Sequence, residues 1–473
     1  MRPVGEASAR RVMIVGLDCA EPSLVLERWR DRLPTLSGLA ANGVSGRLTS
    51  VIPPITVPAW SCMMSSRTPG DLGVYGFRNR ADHTYEGNFI ADGSAIKAPR
   101  LWDLVGRGGG SSVVLGVPGT FPPRPLRGVM VGCFLTPGLD SRYTYPPALR
   151  DEIREVVGGD YLFDCTNFRT DDKEDLLRQV YEMTDKRFTL ARHLAETKPW
   201  QLFALVEMGT DRIHHGFWKH MDAEHRKHEA GHPYESAILD YYVHLDGLIA
   251  GLLRQADDET LVLVVSDHGA KRLEGGIRVN EWLRREGLLA TEREPDGLCS
   301  PGDVGIDWAR TTAWGEGGYY ARVFLNVAGR EPQGTIPAAD YARVRDDLAA
   351  RLAAIPDEEG NPIATRVHKP EELYDEVEGV APDLIVIFGD LLWRSVGTIG
   401  GGEGIHTFEN DTGPDDANHA QDGMWIAAGA GVAARGTRDA HLLDVAPTVL
   451  EALGLPVPEE MRGRSLAGEL AAA

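Results

Sequence analysis

The chain has 473 residues, 42% of them apolar, enough for two or three domains or for one large core carrying an inserted lobe. Lys plus Arg number 49 against 70 Asp plus Glu, a formal charge of −21 that repels nucleic acid and anionic membranes, so neither a nucleic acid polymer nor a membrane is expected as a partner. An anionic substrate would need that field reversed locally, which bound cations can do.

In chain order, "RVMIVGL" (11–17) is the first apolar run, and it ends in Asp18. Arg10-Arg11 before it invites a twin-arginine export reading. The run is short, ends in an aspartate and lacks a cleavage-site pattern, so it reads as a buried first strand of a cytoplasmic protein. No run approaches the roughly 18 apolar residues that a membrane helix needs. "TVPAWSCMM" (56–64) follows the loop "SVIPPI"; Pro58 suits a first helical turn, which puts Thr56 at or near the N-cap. "PRLWDLVGRGG" reads as a helix and "SSVVLGV" (111–117) as a strand, before a Pro- and Gly-rich stretch over about 118–172. A long helical pattern, "KEDLLRQVYEMTDKRFTLARHLAETK", leads to the strand "QLFALVEM" (201–208) and then to "GTDRIHHGFW". There Asp211 and His215 are four apart, one face of a helix, although His214 could replace His215. The helix "YESAILDYYVHLDGLIAGLLRQ" precedes the strand "TLVLVVS" (260–266), which ends in Asp267 and His268. Residues 271–375 carry their own helix, strand and helix ("VNEWLRREG", "ARVFLNV", "AADYARVRDDLAARLAAI") and read as an inserted cap lobe, possible partner to part of 118–172. "DLIVIFG" (383–389) and "GMWIAAG" (423–429) read as further strands, with His419 in "DDANHAQDG" between them. "HLLDVAPTVLEALGL" reads as a last helix, stopped by Gly454 and Pro456, and the runs "GRGGG" and "GTIGGGEG" as turns.

Continuous apolar strands alternating with helices predict an α/β fold with a mostly parallel sheet and helices on both faces: a catalytic core of 11–270 and 376–468, interrupted by the lobe 271–375. Cys19, Cys62, Cys133, Cys165 and Cys299 show neither zinc-knuckle spacing nor a disulfide framework and read as small core thiols. In α/β sheets, ligands gather beyond the carboxyl ends of the strands. Asp18, Asp211 with His215, Asp267 with His268, and His419 all fall near strand ends. Each alone has an ordinary reading as a turn, cap or loop residue. Together they form a mixed Asp/His set suited to zinc, manganese or iron. A threonine hydroxyl beside such ions, at a helix N-terminus that favours a phosphoryl oxygen, suits phosphoryl transfer.

The ordered set Asp18, Thr56 in "TVPAWS", Asp211 with His215, "SDHG" and a late His419 resembles the alkaline phosphatase superfamily, in particular its type I phosphodiesterase/nucleotide pyrophosphatase branch and the bacterial phosphohydrolase/phosphomutase group within it. "RTPGDLGVYGF", "VFLNVAGREPQG", "NDTGPDDANHAQDG" and "LLDVAPTVLEALGLPVPEEMRGRSL" carry the same likeness, over about 11–468. The resemblance implies an alkaline-phosphatase-like three-layer sandwich and two divalent ions, zinc with manganese as the alternative. It implies that Asp18, Thr56, Asp267 and His268 hold one ion and that Asp211, His215 and His419 hold the other, with Thr56 as nucleophile. Asn79 in "GFRNR" is the candidate for a phosphoryl oxygen, with Arg78 and Arg80 as rivals. "CSPGD" at 299 lacks the arginine of a formylglycine sulfatase motif. The expected activity is cleavage of phosphodiester or pyrophosphate bonds in a small phosphorylated substrate through a phospho-threonine. The alternatives are a phosphomonoesterase, phosphonate hydrolase or phosphomutase on the same site, or a metal-stabilised binding protein without catalysis.

Overall fold

The structure is a computed structural model that describes residues 8–402 and 404–472. Most of the stretch ahead of Arg10-Arg11, weighed above as a leader, and residue 403 of the second Gly-rich run lie outside the described residues.

The apolar run Arg11–Leu17 forms a strand between two parallel neighbours, Leu202–Glu207 and Thr260–Val265. Ser112–Leu115 and Gly128–Val131 continue the parallel order beyond Leu202–Glu207, and Thr144–Tyr145 closes that edge antiparallel. The last two strands arise from the Pro- and Gly-rich stretch, whose weak periodicity hid them. On the other side Asp422–Gly429 runs antiparallel to Thr260–Val265, and Gly43–Thr49 runs antiparallel to it in turn. Gly43–Thr49 was not legible as a strand because Ser45 and Arg47 interrupt its apolar residues; Arg47 is exposed.

The central strands are buried at every position but Arg11, so both faces are covered. One helical layer contains Lys173–Thr197, Gly209–Met221 and Ala237–Leu253, packed on one another. The other contains Thr56–Ser65, Leu101–Arg107 and Val445–Ala452. The helices and central sheet together have the expected layered α/β architecture. Gly16 shows how tightly they meet: a Cβ there would lie 2.4 Å from the Trp60 ring, so the strand must be bare where the helix Thr56–Ser65 crosses it.

A second hydrophobic cluster is built between Ile277 and Trp393. Its sheet is antiparallel, in the order Ala313–Glu316, Ala321–Leu325, Leu384–Ile387, Arg366–His368. The run 383–389 therefore does not join the main sheet, as its apolar sequence suggested. Leu384 and Val386 face the second cluster, while Ile385 and Ile387 pack with Tyr75, Tyr320 and Tyr374. Both faces are apolar because two different cores meet across this strand. No helix among the described residues is long and apolar enough to cross a membrane.

Candidate metal centre and nucleophile

Strand register brings distant residues to one end of the sheet. Leu17 pairs with Glu207 and Gly16 with Val265, so Asp18, the helix start at Gly209 and Asp267 leave the sheet at one level. Asp422–Gly429 is antiparallel, so its beginning lies at that same end, and Thr49 pairs with Asp422. His419 thus enters just before one strand, and the loop to Thr56 leaves just after another.

Two groups of side chains form there. Asp18, Asp267 and His268 offer ligand atoms within 4.8 Å of one another, and so do Cys19, Asp211, His215 and His419. All seven are buried. The groups adjoin, with the His268 and His419 rings stacked 3.7 Å apart. In the first, His268 Nε2 is 3.1 Å from Asp267 Oδ2 and 3.9 Å from Asp18 Oδ1. In the second, Asp211 Oδ1 is 3.2 Å from His215 Nε2 and 3.8 Å from His419 Nε2.

Thr56 begins its helix but does not cap it. Ile55 is the N-cap residue and no side-chain cap is formed. The Thr56 Oγ1 instead lies 3.3 Å from His268 Nε2 and 3.5 Å from Asp18 Oδ1. Thr56 is also half-buried, unlike the groups around it, so its hydroxyl sits at the mouth of the centre.

The histidines are oriented from behind. A carbonyl can only accept, so Nδ1–H of His268 donates to Gly269 (3.1 Å) and Nδ1–H of His419 to Pro54 (2.9 Å). His215 Nδ1–H donates to the buried Asp415, 2.7 Å away. Each Nε2 is thereby turned inward, the usual posture of a metal-binding imidazole. Asp211 Oδ1, His215 Nε2, His419 Nε2 and Asp267 Oδ2 are buried without a hydrogen-bond partner. Orphaned buried polar atoms are costly, and here they converge on the same small volume.

The electrostatics agree. Burial, then the neighbouring Asp211, push Asp18 well above the usual carboxylate range; burial and then Asp18 do the same to Asp267. Burial also raises Asp211, but His215, Arg212 and His419 outweigh it and hold Asp211 low. Burial lowers His268 to about 4 and, with His268, lowers His419 well below the ordinary value. His215 is opposite: burial lowers it, but Asp415 and Asp211 outweigh burial and raise it to about 9. Among the described residues Asp18 and Asp267 lack a cationic partner, and the inward-facing Nε2 atoms of His268 and His419 supply lone pairs. The residues present fit two divalent ions.

Asn79 is not brought to this cluster by any hydrogen bond. Its amide accepts from Tyr75 N (2.7 Å) and donates to Gly76 O (2.8 Å), serving its own turn. Arg78 is exposed, while Arg80 is buried beside Glu331. His214, the alternative to His215, is buried away from the cluster between Trp218 and Tyr242. Three participants escaped the sequence. Trp60 donates from Nε1 to Asp18 Oδ2 at 2.6 Å, and its position four after Thr56 on one helix was the available signal. Asp415 lies in the same motif as His419. Cys19 follows Asp18 directly.

A family model described as type I phosphodiesterase/nucleotide pyrophosphatase matches residues 12–415. No curated protein sequence matches the chain. Among solved structures, human ectonucleotide pyrophosphatase/phosphodiesterase 5 is similar with a TM-score of 0.55 at 13% identity, covering 98% of this chain and 100% of that one. The inactive murine form of that protein, in complex with AMP, gives 0.54 at 14% identity, covering 95% and 96%. Phosphonoacetate hydrolase from Sinorhizobium meliloti 1021, in complex with phosphonoformate, gives 0.59 at 16% identity, covering 94% and 96%. At such identities these likenesses establish the shared fold.

Proposed function

Since this chain belongs to the type I phosphodiesterase/nucleotide pyrophosphatase family of hydrolases, we propose that it cleaves phosphodiester or pyrophosphate bonds of a small phosphorylated substrate through a covalent phospho-threonine on Thr56. The observation that carries this reading is the place of the Thr56 hydroxyl: uncapped, half-buried and within 3.5 Å of both His268 and Asp18. A hydroxyl needed only for the helix would turn back to the first-turn amides.

Two divalent ions, zinc in the first instance, held by Asp18, Asp267 and His268 and by Asp211, His215 and His419, would lower the pKa of the hydroxyl and neutralise phosphoryl charge. Thr56 Oγ1 gives up its proton to solvent and bonds to phosphorus, while the bond from phosphorus to the leaving oxygen breaks and that oxygen departs with the electron pair. The Thr56 and Val57 amides, which start the helix ahead of Pro58, would receive a phosphoryl oxygen. Water then attacks phosphorus and frees Thr56. The residues 271–375 supply the substrate-facing lobe; Tyr319 from this segment lies with its ring 4.2 Å from that of His419.

The test is a substitution series assayed on aryl phosphodiesters, phosphomonoesters and phosphonates. Thr56→Ala should bind metal and substrate yet lose turnover by on the order of 10³-fold or more, and Thr56→Ser should keep part of it. A fully active Thr56→Ala enzyme would overturn the mechanism. A preference for monoesters or phosphonates would keep the site and change the substrate class.

A further inference from the structure

The turn after Arg11–Leu17 carries a buried nucleophilic side chain that the mechanism above does not use. Cys19 is 0% exposed, and its sulfur lies with the ligand atoms of Asp211, His215 and His419, all within 4.8 Å of one another. Asp211 Oδ1, His215 Nε2 and His419 Nε2 are the orphaned atoms described above. The backbone adds a second observation. Cys19 has φ 64°, a left-handed conformation that glycine adopts freely and a residue with a Cβ does not. The thiol S–H donates weakly to the Gly269 carbonyl at 3.3 Å. That carbonyl also accepts from His268 Nδ1, so it keeps a donor if the sulfur turns away.

We propose that Cys19 is the fourth protein ligand of the second metal site, completing a set of one thiolate, one carboxylate and two imidazoles. The proposal rests on the two-metal reading. When the ion binds, the S–H bond breaks, the sulfur lone pair forms the bond to the metal, and the proton leaves to the buffer; no electron changes hands. A sulfur ligand biases the site toward zinc or cobalt(II) over manganese or magnesium, because thiolate is a soft donor. It would also give the second ion four protein ligands, the number a structural zinc site uses, against the three of Asp18, Asp267 and His268 beside Thr56.

The experiment uses the full chain, stripped of metal and reloaded with cobalt(II), for the wild type, Cys19→Ser and Cys19→Gly. Cys19→Gly suits the left-handed turn and guards against a misfolded Cys19→Ser. Cobalt content and the near-ultraviolet spectrum are read together. A sulfur-to-cobalt charge-transfer band in the wild type, lost in both variants, is the expected result, together with a shift of the second site toward manganese in competition. Two bound cobalt ions without that band, or a band that survives both substitutions, would overturn the role of Cys19 and leave the two-metal reading standing. Absence of any cobalt binding would overturn both.

Discussion

Replacing Asp415 should separate the two metal sites. The Asp415 side chain is fully buried, accepts from His215 Nδ1–H at 2.7 Å and from Arg169 Nε–H at 2.9 Å, and lies 3.6 Å from Arg394. It has two opposing effects on a metal at His215. It fixes the ring so that Nε2 points inward, and with Asp211 it raises the metal-free imidazole to about 9, so a proton competes with the ion at neutral pH. Removing it loses the first effect and relieves the second. The titration must therefore be done above pH 9, where His215 has already lost its proton in the wild type. There, loss of a carboxylate behind a metal-binding histidine costs about 10–100-fold in affinity, or about 1.4–2.7 kcal/mol. The fold also suffers, because Arg169 loses its partner. Breaking a buried ion pair costs about 3–5 kcal/mol, toward the lower end here because Arg169 retains 21% exposure and a hydrogen bond to Tyr319. Calorimetric unfolding of metal-free Asp415→Ala sets the temperature below which both proteins are folded. Competition against a chromophoric chelator at that temperature then reads each site. Second-site affinity unchanged above pH 9, or equal weakening of both sites, would refute the reasoning.

Three further outcomes are expected. His419→Ala should remove one of two bound ions and leave the site of Asp18, Asp267 and His268 loaded, as counted by elemental analysis. Trp60→Phe removes the 2.6 Å donor to a fully buried carboxylate, so it should destabilise the metal-free protein by about 1.5–3 kcal/mol in chemical denaturation, with first-site affinity falling as well. His220 and His225 are held at about 4, chiefly by burial. A base lowered on folding favours the fold while the unfolded chain is also neutral, above about 6.5, and that stability is lost as pH falls toward 4. The denaturation midpoint should decline over that window, and less steeply in a His220→Asn, His225→Gln double variant.

Much of the architecture was legible because hydrophobic burial is written locally. The unbroken apolar stretches inside runs such as "RVMIVGL" and "TLVLVVS" occur where both faces of a strand are covered, and the residues just beyond them, Asp18 and Asp267, are visible as polar stops. The Asp211–His215 pair was legible for a similar reason: four residues is one helical turn. Tertiary structure decided what local pattern does not encode. The apolar runs of Leu384–Ile387 and Asp422–Gly429 look alike, yet one joins the smaller antiparallel sheet and the other enters the main sheet antiparallel, because pairing depends on which partners the intervening chain delivers. That antiparallel entry carries His419 to within 3.7 Å, ring to ring, of His268, and the partners behind the centre follow from it: Pro54 O for His419, and Asp415, 200 positions along the chain, for His215. Cys19 is the sharpest case. Its sequence position beside Asp18 is that of any small buried thiol; its left-handed backbone and the nearness of its sulfur to Asp211, His215 and His419 arise only in the folded chain, because the direction of a side chain follows from its own φ, ψ and χ1 and not from its neighbours' identity.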